Sequence, residues 1–197
     1  MPTPSVKVLF PSLLQTLNYE PPQNLIDYCI QYYEKNKYRS VQRSIRLGYQ
    51  SQLISIPEIK PVHDYIDEHS ITRGLIHGKQ WININPTGGY NNSHIHPMCD
   101  YTFVYYLTHT TVPVVLTHPH LYEQVCHSYS LQKDISEKYT MDTVHSIVPK
   151  KGDILMFPSY LPHHVEVNHE LEDRISISWN SDSMNVPRVF RDTPRQS

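Results

Sequence analysis

Two short segments carry imidazoles whose spacing suits a metal ion. Residues 94–96 read His-Ile-His, and residues 158–165 read Pro-Ser-Tyr-Leu-Pro-His-His-Val. Successive side chains of a strand point to opposite faces, so an extended 93–96 segment would direct His94 and His96 to one point. A third histidine from a distant strand would complete the ligand set. A pair alone is weak evidence, because the chain contains 13 histidines and most histidines serve other roles.

The second segment offers two neighbouring histidines, and strand periodicity does not choose between them. His163 and His164 face opposite ways on an extended chain, so only one of them can join the first pair. Arg174 stands on the next predicted strand, where its guanidinium could hold a carboxylate. The alternative role of Arg174 is a surface ion pair with Glu172 or Asp173. Three histidines beside such an arginine are the layout of a mononuclear iron site with an organic-acid cosubstrate.

Composition narrows the function classes. Among 197 residues, 17 Lys and Arg stand against 19 Asp and Glu, a net charge of −2, so no basic field indicates duplex nucleic acid. Three cysteines are too few and odd in number for a disulfide framework, which favours a reducing, cytoplasmic setting. The first residues lack a charged leader, and the apolar stretch at 9–14 is short and broken by Pro11. We therefore expect neither a signal peptide nor a membrane span.

The hydrophobic pattern predicts two helices followed by strands. A strand is expected at 5–10, one helix from Pro21 to about residue 37 and another over 57–68. Residues 86–92 have turn chemistry, and the polar stretch at 118–142 is expected to be a lid or a surface loop. Further strands are expected near 78–85, 93–96, 101–108, 112–117, 143–148, 153–157, 163–167 and 174–180.

Short strands in this number, separated by turns and closed on one side by helices, favour one architecture. We expect a mainly β fold with flanking helices, a double-stranded β-helix of the jelly-roll, cupin-like kind. We expect a single domain over 1–197, with a helical front at 1–73, a β core at 74–182 and a tail at 183–197.

The stretch from Trp81 to Asn180 resembles the iron(II)- and 2-oxoglutarate-dependent oxygenases, in particular their compact prolyl-hydroxylase-like branch in bacteria and phages. The resemblance covers about half of the chain. The matching segments are Trp81-Ile-Asn83, Gly89-Tyr-Asn, His94-Ile-His96-Pro, Val104-Tyr-Tyr106-Leu, Val148-Pro-Lys-Lys-Gly152-Asp, Phe157-Pro-Ser-Tyr-Leu-Pro-His163-His-Val165 and Arg174-Ile-Ser176-Ile-Ser-Trp-Asn180.

The resemblance assigns roles to individual residues. It implies that His163 is the distal metal ligand and that Arg174 binds the cosubstrate, with Ser176 as its hydroxyl companion. Tyr106 matches a tyrosine that helps to hold the far carboxylate in prolyl hydroxylases, although it could also be an ordinary core tyrosine. Asn83, together with Asn85 on the same strand face, is a further candidate for the cosubstrate pocket.

One position departs from the usual pattern of the superfamily. Where most members carry Asp or Glu two residues after the first histidine, this chain has His96. A site of three neutral imidazoles leaves Fe(II) with one more positive charge, which should favour anionic ligands such as 2-oxoglutarate. Asp100 is an alternative second ligand if the strand bulges, although its spacing does not suit a regular ladder.

The resemblance implies an enzyme that uses Fe(II), 2-oxoglutarate and O2. Such an enzyme would hydroxylate a peptide, an amino acid or a small metabolite and release succinate and CO2. One alternative is a cupin-type metalloenzyme that uses three histidines without 2-oxoglutarate. Another is a non-catalytic jelly-roll binding module. The sequence leaves the substrate and the oligomeric state open.

Overall fold

The computed structural model describes residues 12–121 and 143–184. The predicted strand at 5–10 lies outside these residues, as does most of the predicted loop at 118–142. Two α-helices form the front of the molecule, α1 at Gln23–Asn36 and α2 at Lys60–His69. Short 3₁₀ turns at Lys37–Arg39 and Pro57–Ile59 extend them. Both helices lie where the sequence predicts them.

Each helix buries one stripe of side chains. Leu25 and Cys29 of α1, and Val62 and Ile66 of α2, are buried four residues apart, the spacing that puts two side chains on one helix face. Pro22 directly precedes α1, where its lack of a backbone N–H removes no helical hydrogen bond. The buried stripes pack with the outer side of a β-sheet in a single apolar cluster.

The described residues contain eleven strands in two antiparallel sheets. The strands are β1 Gln15–Asn18, β2 Ile45–Arg46, β3 Tyr49–Gln50, β4 Leu75–Asn85, β5 Tyr90–His94, β6 Tyr101–Tyr106, β7 Val114–Thr117, β8 Val144–Ile147, β9 Asp153–Pro158, β10 His163–Val165 and β11 Arg174–Ser183. The large sheet has the order β1-β9-β6-β11-β4-β3, and the small sheet has the order β2-β5-β10-β7-β8. From β4 onward the chain passes repeatedly between the two sheets, which is the topology of a jelly roll. The fold class is confirmed.

Strand β11 separates the apolar core from a polar interior. Ile175, Ile177 and Trp179 belong to the cluster that packs under the helices. Arg174 and Ser176 alternate with them and therefore face the small sheet, where they line a cavity between the two sheets. A second, smaller apolar cluster fills the rest of the space between the sheets. The alternation of one strand thus brings polar groups into the interior.

Several predicted boundaries were wrong. The expected turn at 86–92 already includes the start of β5 at Tyr90, and the strand expected at 93–96 ends at His94. Strands β1, β2 and β3 were not predicted, because β2 and β3 have two residues each and β1 only four. Runs this short carry too little periodicity to detect. In the part of the chain that the structure describes, no helix is long and apolar enough to span a bilayer.

Candidate active site

Three imidazoles converge where the space between the sheets meets a surface cleft. The ligand nitrogens of His94, His96 and His163 all lie within 4.8 Å of one another. The Nε2 atoms of His96 and His163 are 3.2 Å apart, a separation that suits two nitrogens sharing one ion at about 2.1 Å. Among the described residues these three form the one group of metal-ligating side chains this close together.

Two of the histidines come from neighbouring strands of the small sheet. His163 on β10 lies directly opposite His94 on β5. The Nδ1 atom of His94 lies 2.7 Å from the carbonyl oxygen of Asn92, and that of His163 lies 2.9 Å from the carbonyl oxygen of Leu161. A carbonyl only accepts, so each Nδ1 carries the proton and each Nε2 keeps a free lone pair. Such bonds fix the tautomer and ring orientation that a metal ligand needs.

His96 reaches the group from the loop after β5. Its backbone N–H donates to the carbonyl of Ser159 at 2.9 Å. Its ring stacks on Trp81, with the ring centroids 5.5 Å apart and the planes at 22°. The structure therefore brings His96 beside His94 by a loop, and not by the extended strand that the sequence predicts. His164 points elsewhere, with its Nε2 3.2 Å from the carboxylate of Glu166.

Burial keeps the three imidazoles uncharged. Loss of solvent, together with the nearby imidazoles, lowers the pKa of His96 to about 3 and the pKa of His163 to about 4. Burial also lowers the pKa of His94. The positive charge of Arg43 adds to the shift at His96. Neutral imidazole is the form that binds a metal ion, so the site is in the binding form at neutral pH.

Arg174 lies deep in the same interior and is only 2% exposed. Its Nη1 donates to Oδ1 of Asn85 at 3.0 Å, and its guanidinium carbon lies 5.0 Å from the centre of the Tyr106 ring. Among the described residues, no carboxylate lies within the 4 Å that would make an ion pair with it. The alternative of a surface pair with Glu172 or Asp173 is therefore not found. A buried charge without a counterion is costly.

Of the buried polar atoms that lack a hydrogen-bond partner among the described residues, four line the cavity beside Arg174. They are Nε of Arg174, Oγ of Ser176, the hydroxyl of Tyr106 and Oδ1 of Asn83. Ser176 lies opposite Asn83 on one neighbouring strand and opposite Tyr106 on the other. All four residues line one cavity together with the three histidines. Each unsatisfied group costs about 1–3 kcal/mol, so the cavity is built for a polar ligand.

The protonation state of Tyr106 fits this interpretation. Burial raises the pKa of its hydroxyl, and the neighbouring Arg174 opposes that shift without cancelling it. The hydroxyl is therefore protonated at neutral pH and is able to donate a hydrogen bond. A guanidinium, a phenol and a serine hydroxyl together form a set of donors that suits a carboxylate.

The sequence of residues 79–180 matches the model of a protein family whose description is "Putative 2OG-Fe(II) oxygenase". This match covers more than half of the chain. The chain belongs to the 2OG-Fe(II) oxygenase family. The oxygenases of this family use Fe(II), 2-oxoglutarate and O2.

Solved structures similar to this oxygenase share its fold. A prolyl hydroxylase from Trichoplax adhaerens, in complex with a hypoxia inducible factor peptide, has a TM-score of 0.57 at 15% identity, over 86% of this chain and 83% of that chain. A Pseudomonas putida prolyl-4-hydroxylase has a TM-score of 0.51 at 12% identity, over 86% of this chain and 92% of that chain. HygX from Streptomyces hygroscopicus, with nickel and 2-oxoglutarate bound, has a TM-score of 0.53 at 10% identity, over 87% of this chain and 83% of that chain. No curated protein sequence matches the chain.

Two further residues of the oxygenase, Asn91 and Ser44, support the site through Asn85, and sequence reasoning missed both. Asn85 donates through Nδ2 to Oδ1 of Asn91 at 3.0 Å, and Asn91 donates through Nδ2 to Oγ of Ser44 at 3.1 Å. Asn85 shares a strand face with Asn83, which is the signal that the sequence does contain. Ser44 meets Asn91 because β2 pairs with β5, and no local pattern indicates that contact.

Asp100, the alternative second ligand, lies outside the histidine group. Its carboxylate accepts a 2.7 Å hydrogen bond from the backbone N–H of Ser183, and its own N–H donates to the carbonyl of Ser181. These contacts hold Asp100 beside the C-terminal end of β11. The structure thus brings His96, and not Asp100, to the other two imidazoles.

Proposed function

We propose that this oxygenase binds Fe(II) through His94, His96 and His163 and binds 2-oxoglutarate through Arg174. We further propose that it hydroxylates a peptide, an amino acid or a small metabolite and releases succinate and CO2. In this proposal the helices and both sheets form one oxygenase domain. The observation that carries it is a buried guanidinium, with no carboxylate beside it in the part of the chain that the structure describes, that faces the same cavity as three converging imidazoles.

The donor set suits Fe(II). Imidazole nitrogen is a good ligand for iron, and three ligands on one side leave positions open for cosubstrate and oxygen. Each of His94 and His163 presents a fixed Nε2 lone pair because its Nδ1 bonds a carbonyl. Three neutral ligands leave the full double charge of the ion in place, which favours a dianionic cosubstrate.

The cavity suits 2-oxoglutarate. Arginine binds carboxylates with two parallel hydrogen bonds, and the free Nε of Arg174 is one of the donors required. Ser176 and Tyr106 supply two more donors to the same carboxylate. Asn83 completes the set if its amide rotates by 180°, because Nδ2 then faces the cavity while the hydroxyl of Ser178 donates to Oδ1. At present Asn83 Nδ2 donates to that hydroxyl at 3.1 Å.

Fe(II), 2-oxoglutarate and O2 together supply the oxidising power of the reaction, and the protein supplies position and shelter. Arg174 fixes the far end of the cosubstrate, and the three imidazoles fix the metal at its other end. The two sheets exclude water from the space between these groups. The cupin-type alternative gives no role to the buried Arg174, and the binding-module alternative gives none to the histidine group.

An anaerobic titration with Fe(II) and 2-oxoglutarate tests this proposal. Chelation of the ion by the cosubstrate produces a visible metal-to-ligand absorption band. We expect the band in the native protein, its loss in His163→Ala, and a large rise in the 2-oxoglutarate concentration needed for it in Arg174→Gln. Arg39→Gln, at an exposed position on the 3₁₀ turn after α1, is the matched control. An unchanged band in Arg174→Gln would contradict the proposed role of Arg174.

A further inference from the structure

A cleft of about 900 Å³ lies in front of the histidine group. His94, His96 and Trp81 are among the residues that line it. One wall comes from the segment that contains β2 and β3, from Val41 to Leu53. A molecule in this cleft would contact both the metal ligands and that segment.

The charges along this cleft have one sign. Arg43 and Arg46 both line it, and no Asp or Glu is among its lining residues in the part of the chain that the structure describes. This sign is opposite to that of the whole chain, which has a net charge of −2. A concave site with charge of one sign and apolar walls focuses its field and attracts ligands of the other sign.

The backbone that carries Arg43 is held in place. Nη1 of Arg46 donates to the carbonyls of Arg43 and Ile45, at 3.1 Å and 2.7 Å. Both acceptors are neutral, so the charge of Arg46 is not cancelled. The guanidinium of Arg43 has no ion-pair partner among the described residues. Because the backbone at Arg43 is held by these hydrogen bonds, binding of a ligand there has to order the side chain but not the backbone.

We propose that this cleft binds the substrate of the oxygenase through an anionic group, a carboxylate or a phosphate, and that Arg43 contacts that group. The inference rests on the proposed function, because it assigns the cleft in front of the metal ligands to the substrate. Arg43 would set specificity by favouring substrates with a negative charge at this distance from the reacting atom. Neutral analogues of the same shape would bind more weakly.

Weak binding of small probes tests this inference. The ¹⁵N-labelled full chain is loaded with Zn(II) and saturated with 2-oxoglutarate, so that Arg174 is occupied, and its amide signals are followed by NMR. Inorganic phosphate and acetate are the two charged probes, and acetamide is the uncharged match for acetate. We expect saturable shifts at Ser44, Ile45 and Arg46 with a charged probe and none with acetamide. The tighter of the two charged probes identifies the anionic group.

Variants assign the effect to one side chain. Arg43→Gln should weaken binding of the charged probe about fivefold, the effect of losing one partly exposed ion pair. Arg43→Lys should restore most of the binding, and Arg39→Gln, outside the cleft, should not change it. Equal binding in Arg43→Gln and the native chain, or an absence of shifts in the native chain, would overturn the inference.

The visible band with Fe(II) and 2-oxoglutarate, measured on the same preparations, separates the two proposals. A chain that forms the band without Arg43-dependent anion binding refutes this inference alone. A chain that binds anions at Arg43 but forms no band refutes the proposed function.

Discussion

Arg174 and Asn85 lie directly opposite each other on β11 and β4, and Nη1 of Arg174 donates a 3.0 Å hydrogen bond to Oδ1 of Asn85. The Asn85 amide is itself held by a hydrogen bond to Asn91, and Asn91 is held by one to Ser44. All four residues are buried. Because Asn85 orients the guanidinium with a neutral acceptor, Arg174 keeps its full charge for a ligand.

Replacing that neutral acceptor by a charged one should weaken cosubstrate binding. In Asn85→Asp the new carboxylate would neutralise Arg174 and compete with 2-oxoglutarate for it. We expect at least a tenfold loss of 2-oxoglutarate affinity, about 1.4 kcal/mol or more, without unfolding of the chain. The measurement is a titration of the visible band at constant Fe(II). Affinity equal to that of the native chain would show that the charge of Arg174 is not what holds the cosubstrate.

The unsatisfied hydroxyl of Ser176 makes an unusual prediction about stability. Removing a buried hydroxyl that has no partner costs the empty protein no hydrogen bond. Ser176→Ala should therefore leave the melting temperature of the ligand-free chain unchanged or higher, while its affinity for 2-oxoglutarate falls. Scanning calorimetry with and without metal and cosubstrate measures both effects. A large drop in the ligand-free melting temperature would mean that the hydroxyl has a structural partner.

Metal binding distinguishes His96 from Asp100. We expect His96→Ala to lower Fe(II) affinity at least tenfold, because one of three ligands is lost. Asp100→Asn keeps an oxygen acceptor for the N–H of Ser183 and should leave the affinity unchanged. Metal analysis after dialysis against a fixed free-metal buffer gives both values. The opposite result would make Asp100 the second ligand.

A second pair of histidines lies on the outer side of the large sheet. His63 of α2 stacks on His77 of β4, with the ring centroids 4.2 Å apart and the planes at 14°. Nε1 of Trp179 donates to Nδ1 of His77 at 3.0 Å. Tryptophan can only donate, so Nδ1 of His77 carries no proton. Protonation there would break this hydrogen bond.

This pair predicts a stability that falls in acid. Burial lowers the pKa of His63 from 6.5 to about 3, and it also lowers that of His77. At a pH between the unfolded and the folded pKa, these histidines bind protons in the unfolded chain but not in the folded chain. The free energy of unfolding therefore decreases as the pH falls below about 6.5. Each such histidine contributes at most about 1.4 kcal/mol per pH unit.

His63→Phe keeps a ring beside His77 and removes one titrating group. The unfolding free energy of this variant, from urea titrations at pH 7 and pH 5, should fall less between the two pH values than that of the native chain. The metal ligands titrate equally in both chains and cancel in the comparison. An identical fall in both chains would show that His63 does not bind protons on unfolding.

Local patterns were enough to predict much of the fold. The alternation of Arg174, Ser176 and Ser178 with Ile175, Ile177 and Trp179 fixes which side of β11 is polar. The helices were predicted because apolar residues recur at helical spacing over three turns or more. The jelly roll follows from many short strands and a helical layer on one side.

What the sequence could not supply depends on contacts between distant segments. Ser44 meets Asn91 because β2 pairs with β5, and His63 meets His77 because α2 packs on the large sheet. Neither contact leaves a local signal in the sequence. His96 joins the group through the loop after β5, where Ser159 holds its backbone. Strand alternation predicted that His96 lies beside His94, but the strand it assumed ends at His94.

The two halves of the site stand on different layers of the sandwich. His94 and His163 belong to the small sheet, whereas Arg174 and Ser176 belong to the large one. Any molecule that reaches from the imidazoles to the guanidinium must therefore cross the gap and tie one layer to the other. Each tenfold rise in such a ligand above its dissociation constant adds about 1.4 kcal/mol to the folded state. The cosubstrate would thus act as a brace as well as a reactant.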